Sequence, residues 1–194
     1  FYLMFGNSIY SIDFSGEEYV EVVSGMSRES LVVSPDASAA AWQADGGLYD
    51  SGTIRVFYMD NGESFDIQAG EGEYVRALGF IDGDFIYGKA RESDIERGSL
   101  AVRFPMYALE IVGRDQKPVT SYEPEGCFVE SIEVGDGKVQ ISREAKGADG
   151  SWIAAPDDAL IQNREEEPEE TALKSYDSGK KQTVWGLDLS SSDN

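Results

Sequence analysis

Histidine is absent from this chain of 194 residues, and Cys127 is its single cysteine. The absence of imidazole excludes every mechanism that needs a histidine base, and it excludes zinc sites built from cysteine and histidine. One cysteine cannot form an intrachain disulfide. Most of the familiar catalytic arrangements are therefore excluded, and we expect no catalytic residues, no metal and no cofactor.

Positive charge is also scarce, since 16 Lys and Arg residues stand against 37 Asp and Glu residues and the formal net charge is −21. Phosphate backbones and anionic lipid surfaces repel such a chain, so nucleic acid is not an expected partner. Long hydrophobic runs are missing, and no stretch approaches the roughly 18 apolar residues of a membrane span. We expect no transmembrane segment. No basic segment precedes an apolar one near Phe1, so we expect any targeting signal to lie elsewhere.

Short runs rich in Val, Ile, Tyr, Phe and Trp recur along the chain, each about 5 to 9 residues long and bounded by turn-forming residues. Asn61-Gly62 and Asp136-Gly137 supply the positive φ angles that tight hairpin turns require. No segment shows a long helical period, and the nearest helix candidate, 157–163, is short enough to be an outer strand. The pattern predicts an all-β domain in which hairpins dominate the topology.

The composition divides the chain into three parts. We predict one β domain over residues 1–163. Residues 164–181 combine several Glu residues with Pro, Ser, Gly and Lys, a composition that predicts an acidic linker or loop. Residues 182–194 contain a terminal strand, 183–189, and a polar tail. We expect this terminal strand to pair near the N-terminal hairpin.

Two sequence markers recur at the same interval of 46 residues. Gly16 is followed by Gly62, and Asp36 is followed by Asp82. A third copy, at Asp136, comes after a longer interval that we attribute to a charged insertion at 91–100. Four strands in about 40 to 50 residues, repeated radially, are the unit of a β-propeller blade. The predicted blades are 30–69, 75–122 and 127–163, with a half blade at 8–23 before them and the strand 183–189 after them.

These repeats predict a propeller-like arrangement of four-stranded antiparallel blades. Because a closed ring needs at least about four blades, two possibilities remain open. Either the N-terminal hairpin and the terminal strand complete one shared blade, or the chain is an arc of a larger propeller. The alternative fold is a β-sandwich, whose strands also recur at intervals of about 8 to 12 residues.

The turn Ser34-Pro35-Asp36, followed by the Ala-Ala-Ala-Trp run at 39–42, resembles the WD40-like propeller repeat of the TolB type. Ala37 stands where that family prefers glycine, and the later copies keep only an Asp-Gly turn. The runs 78–88 and 104–107 are similar to propeller-type proteins of unknown function from gut Firmicutes, many of them exported lipoproteins. This resemblance covers residues 1 to about 163. It implies a cell-surface location on a Gram-positive bacterium and no particular reaction.

Aromatic side chains are the abundant candidates for ligand binding. They can line a groove for a glycan or a peptide, or they can pack in the core. The candidates are Trp42, Tyr49, Tyr58, Tyr87, Tyr107 and Trp152. Paired carboxylates are the remaining catalytic device, and Asp82 with Asp84 and Asp157 with Asp158 are the closest pairs in sequence. We favour turn formation and solvation as the explanation of these acids.

We therefore predict a non-catalytic, extracytoplasmic interaction or ligand-binding domain whose partner is a protein or a glycan of the cell envelope. Two alternatives remain open. A carboxylate-dependent, glycan-active enzyme requires two acids that converge in one aromatic-lined pocket. A structural module of a larger exported protein requires no concave site.

Overall fold

A computed structural model of the chain describes residues 1–16, 18–135 and 137–161, together with the backbone of two later strands. The described ranges consist of β-strands and the turns that join them, with one short 3₁₀ turn at Glu92–Asp94. The all-β prediction is confirmed. No helix within these ranges is long and apolar enough to cross a membrane.

The strands form small antiparallel sheets whose neighbours follow one another along the chain. Sheet I contains β1 (Tyr2–Phe5), β2 (Ser8–Asp13) and β3 (Glu18–Val23). Sheet II contains β4 (Val32–Val33), β5 (Ala39–Gln43), β6 (Thr53–Tyr58) and β7 (Ser64–Gln68). This meander of four strands corresponds to the first predicted blade.

Sheet III contains β8 (Glu73–Ile81), β9 (Asp84–Arg91), β12 (Ala108–Val112) and β13 (Pro118–Tyr122). A small hairpin, β10 (Glu96–Arg97) with β11 (Val102–Arg103), is inserted between β9 and β12. This hairpin overlaps the charged segment 91–100, to which we attribute the longer interval between the second and third repeat copies. Sheet IV contains β14 (Phe128–Gly135), β15 (Lys138–Lys146) and β16 (Trp152–Ile161). The helix candidate at 157–163 therefore begins as part of an outer strand.

The repeat markers lie at equivalent turns of the sheets. Asp36 and Asp82 join the first and second strands of sheets II and III, while Gly62 joins the third and fourth strands of sheet II. Gly16, the sequence counterpart of Gly62, joins β2 to β3. Sheet I therefore corresponds to the last three strands of sheet II. The predicted half blade is corrected to three strands, because the turn at Gly6, with a φ of 64°, folds the preceding residues into β1.

Sheets I to IV pack face to face in chain order through three hydrophobic clusters. In β5, Ala39 packs toward sheet III and Trp42 packs toward sheet I. In β9, Phe85 packs toward sheet II and Ile86 packs toward sheet IV. Because side chains alternate between the two faces of a strand, sheets II and III bury both faces. This stacking of small antiparallel sheets is consistent with an incomplete propeller or a β-sandwich.

Residues 163–194 form a second unit. Its described strands, β17 (Leu173–Ser178) and β18 (Gln182–Leu187), form a two-stranded antiparallel hairpin. β17 lies inside the segment predicted as a linker. β18, which lies in the predicted terminal strand, pairs with β17, and the expected pairing near the N-terminal hairpin stays a prediction. A partner that is close in sequence costs less loop-closure entropy than a distant one. The rest of the predicted linker and tail lies outside the described residues.

The Ser-Pro-Asp motif forms a hydrogen-bonded turn between β4 and β5. The Asp36 carboxylate accepts hydrogen bonds from Ser34 Oγ at 2.7 Å, from Ser38 Oγ at 2.8 Å and from Ser38 N at 3.0 Å. Ser34 Oγ in turn accepts the backbone N–H of Ala39 at 2.8 Å. Ala37 has a φ of 58°, a left-handed conformation that disfavours residues with a Cβ. The glycine preference of the resembling family at this position thus has a physical reason.

We expect the Asp36→Asn substitution to lower the free energy of unfolding at neutral pH and to have little effect on it in acid. Hydrogen bonds from Ser34 and Ser38 lower the pKa of Asp36 from 3.8 to about 2. Because the pKa is lower in the folded state, this carboxylate stabilises the fold above pH 3.8, and the contribution disappears as the pH falls through about 2. Urea titrations of both proteins at about pH 6 and about pH 2 measure the difference. An equal deficit at the two pH values would contradict this assignment.

Candidate functional site

The first strands of sheets II, III and IV line a cleft, which we call the inner cleft. Its narrow part has a volume of about 210 Å³ and is lined by Val32 of β4, Ala77 of β8 and Ser131 of β14, among others. Its wide part, of about 430 Å³, is bordered by the β10–β11 insertion. Arg76 and Glu130 line both parts. Three sheets and one insertion therefore contribute side chains to a single concave surface.

Arg76 is a partly buried cation of the inner cleft. Its Cζ atom lies 5.4 Å from the centre of the Tyr49 ring, which is a cation–π distance. Within the described ranges, no carboxylate oxygen lies at ion-pair distance from Arg76. The other partly buried cations in these ranges each pair with a carboxylate, and they are Arg55, Lys89, Arg103 and Arg143. Arg76 thus presents guanidinium donors to the cleft without a carboxylate partner from these ranges.

Glu144 is a buried carboxyl group at the wide part of the cleft. Its side chain is 5% exposed, and Arg103 of the β10–β11 insertion forms an ion pair with it. Burial raises the pKa of Glu144 from its ordinary value, while the charge of Arg103 opposes the increase. Because charge is costly to bury without a partner, the insertion is held onto β15 by this pair.

Glu96 lies on the same insertion and is exposed to solvent. Lys146 Nζ donates to Glu96 Oε1 at 2.8 Å, and Trp152 Nε1 donates to Glu96 Oε2 at 2.9 Å. The hydrogen bond from Lys146, followed by that from Trp152, lowers the pKa of Glu96. The Arg103 guanidinium also lies 5.1 Å from the Trp152 ring centre. Trp152 therefore packs against the charged groups that border the cleft.

The structure separates the predicted aromatic residues into two classes. Trp42 and Tyr58 are each 4% exposed and Tyr87 is 8% exposed, so these three rings pack in the core and do not line a groove. Tyr49 lines the wide part of the inner cleft. Trp152 borders the same region through Glu96 and Arg103. Of the predicted binding residues, Tyr49 thus lines the cleft itself and Trp152 contacts two of the side chains that line it.

Tyr107 lies at a different place, in a pocket of about 530 Å³ next to Cys127. The Arg91 guanidinium covers its ring at 4.2 Å, and its hydroxyl donates to Glu73 at 2.5 Å. Burial and this hydrogen bond raise the pKa of Tyr107. Its ring and hydroxyl are therefore occupied by contacts within sheet III.

The carboxylate pairs that are adjacent in sequence do not converge in the inner cleft. Asp82 lies in the exposed β8–β9 turn with a φ of 48°, whereas Asp84 is buried. Asp158 accepts hydrogen bonds from Tyr122 at 2.8 Å and from Arg143 at 3.1 Å. Sequence reasoning missed the four acids that do line the cleft, Glu29, Glu96, Glu130 and Glu144. Glu29 lies in the turn before β4 and the others come from three different strands, so no local motif marks them.

The described ranges contain no group of three or more Cys, Asp or Glu side chains that could hold a metal ion.

No protein-family model matches the chain, and no curated protein matches it. Among solved structures, the chain is similar to a dipeptidyl peptidase 4 from Porphyromonas gingivalis, with 9% identity and a TM-score of 0.27. The match covers 79% of this chain and 37% of that chain. A chain of a mitotic checkpoint complex matches with 8% identity and a TM-score of 0.22, over 84% of this chain and 76% of that chain. Likenesses this distant carry no argument about function.

Proposed function

We propose that Phe1–Gln162 form a non-catalytic ligand-binding domain of the WD40-like propeller type, and that its binding site is the inner cleft. The observation that carries the proposal is Arg76, a partly buried guanidinium that rests on Tyr49 and has no carboxylate partner among the described residues. A partly buried guanidinium without a counter-ion is free to form charge-assisted hydrogen bonds with an anionic ligand group.

The ligand class follows from the donors that the cleft offers. An arginine guanidinium binds a carboxylate through two parallel hydrogen bonds, and an aromatic ring packs against the apolar face of a sugar or a side chain. Arg76 supplies the bidentate donor. Its guanidinium covers one face of the Tyr49 ring, so the rest of that ring is what can contact a ligand in the cleft. The wide part, of about 430 Å³, falls within the roughly 300 to 1,000 Å³ of small-ligand sites, and the narrow part adds about 210 Å³. An acidic glycan or a muropeptide of the cell envelope has the required chemistry.

Two of the four acids of the cleft already have cationic partners. Glu144 pairs with Arg103, and Glu96 pairs with Lys146. These contacts support a binding role, because a general acid or base must be available to the substrate. The enzyme alternative has one observation in its favour, since burial raises the pKa of Glu144 while hydrogen bonds lower that of Glu96 in the same cleft. An experiment on ligand binding must therefore also look for cleaved glycan products.

We expect Arg76→Gln to abolish binding of carboxylate-bearing glycans or muropeptides on an array. The substitution removes the bidentate donor, and a lost contact of this kind lowers affinity by about tenfold or more. Tyr49→Ala is expected to weaken the same hits. Lys138→Gln, at an exposed position at the start of β15, removes one positive charge as the matched control and is expected to keep them.

The conditions of the array follow from the charge of the chain. A net charge of −21 repels an acidic ligand at long range, so moderate salt is expected to leave the affinity unchanged or to increase it. If the Arg76→Gln variant still bound the same array ligands, the inner cleft would not be the binding site. Release of cleaved products from bound glycans, abolished by Glu144→Gln, would replace the binding proposal with the carboxylate-dependent enzyme.

The extracytoplasmic location is part of this proposal and rests on the resemblance of the runs 78–88 and 104–107 to propeller-type proteins, many of them exported lipoproteins. The third possibility, a purely structural module, predicts no ligand for the inner cleft. A blank array with every probe would favour that module.

A further inference from the structure

One face of sheet I is apolar and open to solvent. Phe5 is 73% exposed, Phe14 and Tyr19 are each 74% exposed, and Leu3 is 44% exposed. With Tyr10 and Ile12 these side chains line a shallow pocket of about 540 Å³. We call this surface the outer face. Contiguous apolar surface of this kind marks a site of interaction.

Strand alternation explains why the outer face is not part of the core. Met4 and Ile9 point toward sheet II, where Ile9 is completely buried. Their neighbours Leu3, Phe5 and Tyr10 must then point the other way. The strands of sheet I thus carry apolar residues on both faces of the sheet. A sheet with one solvated face has polar residues at every second position, so the pattern of sheet I is that of a sheet covered on both sides.

The charges around the outer face restrict what can cover it. Asp13 and Glu18 line the pocket, and Glu21 stands opposite Tyr10 on β3. Hydrogen bonds from Ser15 lower the pKa of Asp13, which keeps this group anionic at neutral pH. Residues 1–23 contain no Lys or Arg. A second copy placed on the same face would bring acid against acid and a net charge of −21 against −21.

The size of the outer face also favours a short segment. Three strands about 4.8 Å apart, each with up to six residues at about 3.3 Å, give a face of roughly 10 by 20 Å. A stable protein dimer buries about 800 Å² on each partner, which is several times this area. One amphipathic helix, about 10 Å in diameter, matches the face.

We propose that the outer face of sheet I docks a cationic amphipathic helical segment of a partner protein. Its apolar side chains contact Phe5, Phe14 and Tyr19, and its Lys or Arg side chains pair with Asp13, Glu18 and Glu21. This site is separate from the inner cleft and does not depend on its ligand.

The test titrates the full chain with a fluorescent peptide of about 14 Leu and Lys residues that has one apolar helical face, long enough to span the roughly 20 Å of the outer face. We expect Phe5→Ser with Tyr19→Ser to weaken binding by about tenfold and Glu18→Lys to weaken it by a similar factor. Leu100→Ser is the matched apolar control, since Leu100 is 99% exposed in the β10–β11 hairpin. Glu71→Lys is the matched charge control at an exposed turn. Both controls are expected to bind as the unaltered chain does.

Each other result overturns the proposal. Equal losses from Glu18→Lys and Glu71→Lys, with no effect of Phe5→Ser and Tyr19→Ser, would mean attraction by net charge alone. Light scattering that shows a dimer dissociated by Phe5→Ser with Tyr19→Ser would identify a second copy as the occupant. Absence of peptide binding to the unaltered chain would remove the site. Because the substituted side chains are exposed, melting curves should stay within about 0.5 kcal/mol of the unaltered chain and exclude unfolding as the cause.

Discussion

Phe85→Ala should lower the free energy of unfolding by about 3 to 5 kcal/mol, the largest effect that we expect from a single substitution in this chain. Phe85 is completely buried at the interface of sheets II and III. Its ring centre lies 5.2 Å from that of Phe80 and 6.1 Å from that of Tyr87. Removing the ring deletes its apolar contacts and leaves a cavity that β9, which is paired with β8 on one side and β12 on the other, cannot close.

Thermal unfolding measures this effect, and for a chain of this size we expect the melting temperature to fall by about 10 °C. Phe14→Ala is the matched control, because Phe14 is 74% exposed and the same atoms are removed. Its stability should stay within about 0.5 kcal/mol of the unaltered chain. Similar losses in the two variants would mean that sheets II and III do not pack as described.

Arg103→Ala should cost about 2 kcal/mol at neutral pH, the second largest effect. The substitution leaves the Glu144 carboxylate buried and without its ion-pair partner. Arg103 is 39% exposed, so solvent already screens part of the attraction, and the loss is smaller than for a fully buried pair.

The loss should also depend on pH with a defined sign. Burial raises the pKa of Glu144 in the folded state above its ordinary value of 4.5. The stability that the protonated group contributes is therefore complete below pH 4.5 and is lost as the pH rises through the raised pKa. Without Arg103 the pKa of Glu144 rises further, so the deficit of Arg103→Ala should shrink on acidification toward about pH 4.5.

A double-mutant cycle with Glu144→Gln separates this pairing from lost packing. Urea denaturation at about pH 7.5 should show that Arg103→Ala costs much less when Gln occupies position 144, because no buried charge remains. The same cost in both backgrounds would indicate that Arg103 acts through its packing on Trp152 and not through Glu144. The cycle also reports on the inner cleft, since Arg103 and Glu144 both line it.

Local chemistry predicted the strands and many of the turns. Alternating apolar residues and turn pairs such as Asp82-Gly83, both at positive φ, act within a few residues of one another, and they led to an all-β domain with blades at 30–69 and 75–122. The absence of histidine excluded every mechanism that needs an imidazole, and the net charge of −21 led to the expectation that nucleic acid is not a partner. These conclusions need no knowledge of what a strand packs against.

The site needed the tertiary structure. Trp42 and Tyr49 are both aromatic residues near turns, yet Trp42 is 4% exposed and Tyr49 lines the inner cleft. Which face of a strand meets another sheet depends on how the sheets stack, and composition does not encode that order. Arg103 and Glu144 are likewise far apart in sequence, and only the β10–β11 insertion brings them together.

The sequence by itself determined the β class, the repeating turns and the excluded chemistries, because each depends on local conformational preference or on residue type. The tertiary structure decided which aromatic rings are core, which carboxyl groups are paired and which face of sheet I is left to solvent. Those outcomes depend on contacts between residues distant in the chain, where loop closure and burial compete across the whole fold.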